Sequence, residues 1–285
     1  PRSTPSNSSA ASDVYKRQNK MNKPHYRKDI FCSIYSEDGD LFQFAVKLKN
    51  IPGSIAEVAR ILASRGVNIL HGFHTVTPRE NEAIWGFFID LKGSNEKIEN
   101  IAKEIESLDS VLEVKLSRPI IDGLIIDELH FPIMVFNERS IVMKIKTIAG
   151  SFNRLYGKFG SGASFILYEM GKAAGQERAK NLSEKYDLDK LTILKIILAE
   201  RAAKGWGIPE IEKFDEKKAE ATINVQELFE CVLFRSRNKE AKSQFFRGYL
   251  AGVLSQLFGK NVLVVEDECV AKGDPKCKFI SQIRS

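Results

Sequence analysis

The C-terminal region reads Phe245-Phe246-Arg247-Gly248-Tyr249-Leu250-Ala251-Gly252, then Glu266-x-x-Cys269, then Gly273-Asp274-Pro275-Lys276-Cys277-Lys278-Phe279. An apolar run at 262–265, a Gly-Asp-Pro interruption and a second apolar run at 278–280 predict a β-hairpin. Cys269 and Cys277 lie four residues on either side of Gly273, so we expect their side chains to face each other across the strands. The two cysteines are therefore predicted to form one site that holds a metal ion or a disulfide.

The cysteine content favours a metal over a disulfide at this site. The chain shows no secretory signal and no apolar run long enough to span a bilayer, so we expect a cytoplasmic protein without a membrane span. Its only cysteines are Cys32, Cys231, Cys269 and Cys277, which are too few for a disulfide scaffold. The alternative is a pair of reduced cysteines buried as small hydrophobic side chains.

Three motifs in the second half of the chain are typical of a known family. They read Ile166-Leu167-Tyr168-Glu169-Met170-Gly171-Lys172-x-x-Gly175, then Gly205-Trp206-Gly207, then Gly248-Tyr249-x-x-Gly252 with the cysteine-containing ending quoted above. From about Leu124 to the end, the chain resembles the 4-vinyl reductase domain, a small-molecule-binding domain found in bacterial phenol sensors. That domain in turn resembles the fold of the TRAPP vesicle-tethering subunits. The resemblance implies a mixed α/β domain over residues 119–285.

The same resemblance implies a zinc site. Its ligands here would be Glu266, Cys269 and Cys277, while the family's fourth ligand, a cysteine, is replaced by Ser243. A serine hydroxyl is a poor zinc ligand, so the fourth ligand stays open between Cys231, Ser243 and water. In a regular strand Glu266 and Cys269 would point to opposite faces, so joint ligation requires a bulge or a strand end near Asp267.

The resemblance also implies a ligand pocket that contains a tryptophan. We expect Trp206, Phe246 and Tyr249 to line it, since an indole N–H can orient a polar group in apolar surroundings. The phenol sensors also use a histidine, but no histidine follows His130 in this chain. A hydrophobic or aromatic small molecule other than phenol is therefore the expected ligand.

Residues 41–118 predict a second fold. Alternating apolar residues and amphipathic segments follow one another in the order βαββαβ, which indicates an antiparallel sheet backed by helices. The first strand ends at Asn50-Ile51-Pro52-Gly53, and Ser54-x-x-Glu57 predicts a capping box at the start of the first helix. Together with the C-terminal region, this gives an α+β protein with a ferredoxin-like first domain.

Two motifs in this domain, Leu48-x-Asn50-Ile51-Pro52-Gly53-Ser54-Ile55-Ala56-Glu57 and Arg65-Gly66-Val67-Asn68-Ile69, are typical of a second family. With the strand order, they make residues 41–118 resemble the ACT domain. ACT domains pair edge to edge and often bind an amino acid at the turn after the first strand. The resemblance implies a homodimer and an effector site formed by Asn50, Ile51, Pro52, Gly53, Asn68 and Ile69. A domain that dimerises without any effector is the alternative.

The remaining sequence narrows the function. Residues 1–20 are interpreted as an adapter-like or disordered leader, and residues 118–146, including Ile141–Ile145, as strands that open the second domain. The net charge of +6 has no basic block or helix-turn-helix pattern beside it, so we do not expect nucleic-acid binding. No catalytic motif is present, and we assign no catalytic residue.

We therefore expect a small-molecule-binding sensor or regulator rather than an enzyme. Two alternatives stay open. One is an accessory or catalytic protein of tetrapyrrole vinyl reduction, and the other is a scaffold without a ligand that resembles the tethering subunits.

Overall fold

The structure is a computed structural model that describes residues 26–77, 81–235 and 243–283. The leader predicted at residues 1–20 lies outside these ranges. The chain divides into two compact units, and the division falls between Ser140 and Ile141. Within the described residues, no helix is both long enough and apolar enough to cross a membrane.

The first unit contains the predicted βαββαβ arrangement. Its strands are β1 (Ser33–Tyr35), β2 (Leu41–Lys49), β3 (Asn68–Val76), β4 (Glu82–Asp90), β5 (Val111–Ser117), β6 (Leu124–Ile126), β7 (Met134–Val135) and β8 (Glu138–Arg139), and its helices are α1 (Ser54–Ser64) and α2 (Ile98–Glu106). The main sheet has the order β3-β4-β2-β5, and every neighbouring pair is antiparallel. The predicted ferredoxin-like order is confirmed.

The core of this unit lies between the sheet and its two helices. Phe44, Val46 and Leu48 alternate along β2 and are buried against apolar residues of α1 and α2, such as Leu62 and Ile101. The period of two along the strand and the helical spacing of α1 and α2 point these side chains to a common interior. Burial of their apolar surface stabilises the domain.

The predicted capping box at the start of α1 is wrong. The N-cap residue is Gly53, whose φ of 98° suits glycine, and it makes no side-chain capping hydrogen bond. The Ser54 hydroxyl instead donates to the carbonyl oxygens of Lys49 (2.8 Å) and Ile51 (3.1 Å), and Glu57 accepts a hydrogen bond from Ser110. Ser54 therefore ties the preceding turn together and leaves the first amides of α1 uncapped by a side chain.

The segment 119–140, which the sequence analysis placed in the second domain, lies in the first unit. β6 pairs with β1, and Ile125 forms a small buried cluster with Leu41 and Phe88. The strand predicted at Ile141–Ile145 is absent, because the side chain of Ile141 is 81% exposed and a helix already begins at Ile145. Burial of Ile125 explains why this segment stays with the first unit.

The second unit is a mixed α/β domain, as predicted. Its helices are α3 (Ile145–Phe159), α4 (Gly162–Lys185), α5 (Lys190–Ala203) and α6 (Gln244–Phe258), and its strands are β9 (Ile208–Asp215), β10 (Glu220–Gln226), β11 (Val262–Glu268) and β12 (Cys277–Ile283). The strands form one antiparallel sheet in the order β11-β12-β10-β9. Short 3₁₀ turns at Val232–Phe234 and Val270–Lys272 lead into α6 and β12 respectively.

Helices α4 and α6 touch each other through their backbones. A Cβ atom added to Gly248 would lie 2.0 Å from the carbonyl oxygen of Tyr168, and one added to Gly171 would lie still closer to the carbonyl oxygen of Phe245. Gly175 and Gly252 make equivalent approaches further along the crossing. Such distances leave no room for any side chain, so these glycines set the separation of the two helices.

Gly248→Ala should therefore destabilise the second unit by about 3 kcal/mol, because the new methyl group forces the helix backbones apart. Gly157→Ala, on α3, is the matched control: its added Cβ meets no atom within 4 Å, so stability should change by no more than about 1 kcal/mol. Urea unfolding followed by the emission of Trp206 in a Trp85→Phe background measures both. Equal stability of the two variants would contradict the crossing described above.

Candidate functional site

Four acidic side chains of the second unit converge at one point. Cys231, Glu266, Cys269 and Cys277 place one ligand atom each within 4.8 Å of one another. The three cysteines are fully buried and free of disulfide bonds. Cys231 precedes the first 3₁₀ turn, Glu266 lies in β11, and Cys269 and Cys277 flank the second 3₁₀ turn.

A bulge in β11 brings Glu266 to the cysteines. Glu266 pairs with Phe279 and Glu268 pairs with Lys278, so Asp267 is an extra residue between two consecutive pairs. A regular strand would point Glu266 and Cys269 to opposite faces, and the extra residue reverses that alternation. The bulge expected near Asp267 is confirmed.

Ser243 lies beside the cluster and links its members. Its hydroxyl donates to Glu266 Oε1 at 2.7 Å, and its Oγ lies 2.9 Å from Cys231 Sγ. Cys231 thus brings a third thiol into the place that sequence analysis left open between Cys231, Ser243 and water. Sequence spacing carries no signal for this, because Cys231 and Cys269 are 38 residues apart and meet only in the folded domain.

The donor set fits a tetrahedral zinc ion. The Sγ atoms of Cys231 and Cys269 lie 3.6 Å apart, close to the roughly 3.8 Å edge of a tetrahedron with zinc–sulfur bonds of about 2.3 Å. The Glu266 Oε2 atom is buried and has no hydrogen-bond partner among the described residues. In addition, the Val270 N–H lies 3.4 Å from Cys277 Sγ and can donate to it. These groups suit a soft cation with three thiolate ligands and one carboxylate.

The electrostatics of the cluster favour a bound cation. Burial raises the pKa of Glu266 to about 9, and hydrogen bonds to Cys269 and Cys277 together with burial raise the pKa of Cys231. In the absence of a cation, the protonated forms are therefore preferred. A divalent ion would replace the protons and offset the cost of charging several groups in one dry site.

A second cluster in this unit consists of aromatic side chains. The Trp206 ring is half-buried, and its centroid lies 5.2 Å from that of Tyr249, 5.4 Å from Phe229, 5.6 Å from Phe245 and 6.3 Å from Phe246. The structure therefore brings together Trp206, Phe246 and Tyr249, the three residues assigned to a ligand pocket. In this conformation their rings pack directly against one another.

Backbone contacts hold Trp206 in place at this cluster. Gly205, with a φ of 76°, turns the chain after α5. The Trp206 N–H then donates to the carbonyl oxygen of Arg201 at 2.9 Å, and the Trp206 carbonyl accepts from the Phe229 N–H at 2.8 Å. The tryptophan is thus fixed on both sides, with one part of its ring at the surface.

The first unit contains a pocket of about 550 Å³ at the start of α1. Its lining includes Asn50, Ile51, Pro52 and Gly53, together with His74 of β3. Because the first helical amides have no partner within the helix, this end of α1 offers N–H groups and a favourable dipole to an anion.

The other two predicted effector residues lie elsewhere. Asn68 and Ile69 are at the opposite end of β3 from His74, six residues or about 20 Å along the strand. Neither lines the pocket. Sequence analysis interpreted His74 as structural, and only its position beside the turn in the folded sheet reveals it as a lining residue.

Comparisons with protein families agree with this division of the chain. Residues 43–110 match the model of the ACT domain, and residues 224–283 match the model of the 4-vinyl reductase domain. The chain carries an ACT domain followed by a 4-vinyl reductase domain. The ACT match contains the Asn50–Gly53 turn, and the second match contains all four members of the acidic cluster. These two domains support a ligand-binding, regulatory role.

A comparison with curated protein sequences finds no match to this chain. Solved structures of low identity match about half of it. The phenol-responsive sensory domain of the transcription activator PoxR, crystallised with phenol, is 19% identical, and the match covers 53% of this chain and 80% of that one with a TM-score of 0.48.

Two further structures are similar. A vinyl-4-reductase family protein from Methanocaldococcus jannaschii is 21% identical, with 52% of this chain and 100% of that chain covered and a TM-score of 0.31. A trafficking protein particle complex subunit 3 from Naegleria fowleri, covalently bound to palmitic acid, is 14% identical, with 50% and 95% covered and a TM-score of 0.36.

Protein purified without chelator should contain about one zinc ion per chain, measured by elemental analysis. Cys231→Ser and Cys269→Ser should each lose most of it, because each removes a thiolate ligand. Ser243→Ala should keep it, since the hydroxyl links the ligands without replacing one.

The exposed Cys32 of the first unit supplies the matched control, and Cys32→Ser should leave the zinc content unchanged. Retention of zinc in Cys231→Ser together with its loss in Ser243→Ala would show that Ser243, and not Cys231, is the fourth ligand. Metal-free protein of unchanged stability would show that the cluster binds no ion.

Proposed function

We propose that this protein is a cytoplasmic, homodimeric sensor whose 4-vinyl reductase domain binds a hydrophobic or aromatic small molecule at Trp206. The observation that carries this proposal is the aromatic cluster itself. Trp206 is half-buried, while Phe246 and Tyr249 behind it are only 1% exposed. An aromatic molecule that reached this position would find ring faces and edges on several sides and would lose most of its contact with water.

The metal cluster supports this site from the start of α6. Glu230, next to Cys231, accepts hydrogen bonds from the N–H groups of Phe245 (3.0 Å) and Phe246 (2.6 Å) in the first turn of the helix. We propose zinc as the ion and a structural role for it, since four protein ligands would leave no position for a substrate. The ion would thereby fix the helix that carries Phe246 and Tyr249.

We also propose that the ACT domain binds an amino acid at the Asn50–Gly53 turn. The supporting observation is the uncapped start of α1, where the Ser54 hydroxyl is committed to two carbonyl oxygens. The amides of this first turn therefore face the pocket, where a carboxylate can accept their hydrogen bonds. His74 supplies a further polar group at the same pocket.

Dimerisation is proposed through β3. This strand lies at one edge of the four-stranded sheet, and most of its side chains are exposed. An edge strand presents a row of backbone N–H and C=O groups that can pair with another chain. A second copy of the same strand would complete this pairing by two-fold symmetry.

The proposed ligand site is tested by native mass spectrometry of protein purified from its own host. A small molecule should accompany the unmodified protein, and Trp206→Ala should lose it, because removal of the indole weakens binding by about 1–3 kcal/mol. Trp85→Phe changes the other tryptophan, in the ACT domain, and should retain the molecule.

The same experiment separates the alternatives. A bound pigment, together with turnover that depends on a reductant, would favour tetrapyrrole vinyl reduction over sensing. A stable protein partner with no small molecule would favour a scaffold. Retention of the molecule in Trp206→Ala would show that it binds at a different position.

The effector site is tested by calorimetric titration of the dimer with the common amino acids. His74→Ala should weaken the binding of the responding amino acid about tenfold, equivalent to about 1.4 kcal/mol, because it removes one polar contact. Asn68→Ala, at the far end of the same strand, should have no effect. If Asn68→Ala weakens binding and His74→Ala does not, the effector lies at the Asn68 end of β3.

A further inference from the structure

A buried arginine lies against the aromatic cluster of the second unit. Arg201 is 6% exposed, and the carbon of its guanidinium group lies 4.5 Å from the centre of the Trp206 ring and 5.1 Å from that of Tyr249. Cation–π contacts of this kind stabilise a guanidinium group but leave its in-plane N–H groups unsatisfied. Its position at the ligand site therefore raises the question of what those N–H groups bind.

The neighbouring carboxylate engages a different arginine more closely. Glu200 accepts two hydrogen bonds from Arg178, one of them 2.8 Å long, whereas its contact with Arg201 is 3.5 Å. The Arg201 Nε atom is buried and has no hydrogen-bond partner among the residues that the structure describes. A buried donor of a charged group without a partner is costly, and folded proteins rarely leave one.

A second donor at the same place is also unpaired. The Tyr249 hydroxyl is buried without a partner in the described part of the chain, and its ring packs against those of Trp206 and Phe246. Burial raises the pKa of Tyr249 to about 12, so the hydroxyl keeps its proton at neutral pH. The ring faces of Tyr249 and Trp206 thus adjoin two unused donors, one of them cationic.

We infer that Arg201 and Tyr249 form the polar end of the ligand site and that the ligand is an aromatic or apolar molecule carrying a carboxylate. This inference rests on the function proposed above. An arginine offers donors only, so the ligand group that meets it must be an acceptor. A carboxylate matches the planar guanidinium and supplies the counter-charge that Glu200 shares with Arg178.

Other ligand groups fit this pair of donors less well. An amine would place a second cation beside Arg201 in surroundings of low polarity, which is unfavourable. A neutral amide or hydroxyl can accept one hydrogen bond but leaves the charge uncompensated. The acid should therefore bind more tightly than a neutral molecule of the same shape.

The test uses a matched pair of probes, 3-phenylpropanoate and 3-phenylpropanamide, in a Trp85→Phe background where Trp206 is the single tryptophan. Titration of the Trp206 emission gives the affinity of each probe. The acid should bind at least tenfold more tightly than the amide. Arg201→Gln should abolish this preference while leaving the affinity for the amide within about threefold, a pattern that a general loss of packing would not produce.

Tyr249→Phe keeps the ring and removes only the hydroxyl, so it guards against a folding defect in Arg201→Gln. It should reduce the affinity for the acid several-fold and leave the amide unaffected. Arg154→Gln, an exposed arginine of the same unit, is the control for net charge and should change neither probe.

Equal affinity for the acid and the amide, or persistence of the preference in Arg201→Gln, would overturn the inference while leaving an aromatic-ligand sensor in place. Failure of both probes to change the Trp206 emission at millimolar concentration would also overturn it. The proposed function is then judged separately, by the presence or absence of a co-purified molecule in native mass spectrometry.

Discussion

The backbone contact between α4 and α6 is the constraint on which the second unit depends. Four glycines let the helices approach until added Cβ atoms would overlap carbonyl oxygens of the other helix. Because α6 is held at this distance, Tyr249 is directed at Trp206, and the start of the helix is placed over Glu230. One crossing thus positions both the aromatic cluster and the end of the helix that adjoins the metal cluster.

The two clusters place opposite demands on their surroundings. The cysteine cluster gathers groups that become negative, and it needs a cation before they can ionise together. The aromatic cluster carries Arg201, a permanent cation whose nearest carboxylate is engaged mainly elsewhere. A zinc ion satisfies the first demand and an acidic ligand the second, so the unit is electrically most complete when both are bound.

The ACT domain achieves its candidate site by a different means. Ser54 has the sequence position of a capping residue, yet its hydroxyl satisfies carbonyl oxygens of the preceding turn instead. The start of α1 is left to other partners, and His74 approaches it from β3. A local exchange of hydrogen bonds therefore decides whether this helix end is closed or open to a ligand.

Local pattern in the sequence determined much of this protein. The alternation along β2 and the spacing of α1 and α2 predicted the ferredoxin-like order, because side-chain direction follows the period of each element. The distance between Glu266 and Cys269 required a bulge, which the strand pairing contains. Contacts between residues distant in sequence were decided only by the tertiary structure. Cys231, His74 and Arg201 reach their sites through strand pairing, a turn and a helix crossing, and no spacing in the chain records those encounters.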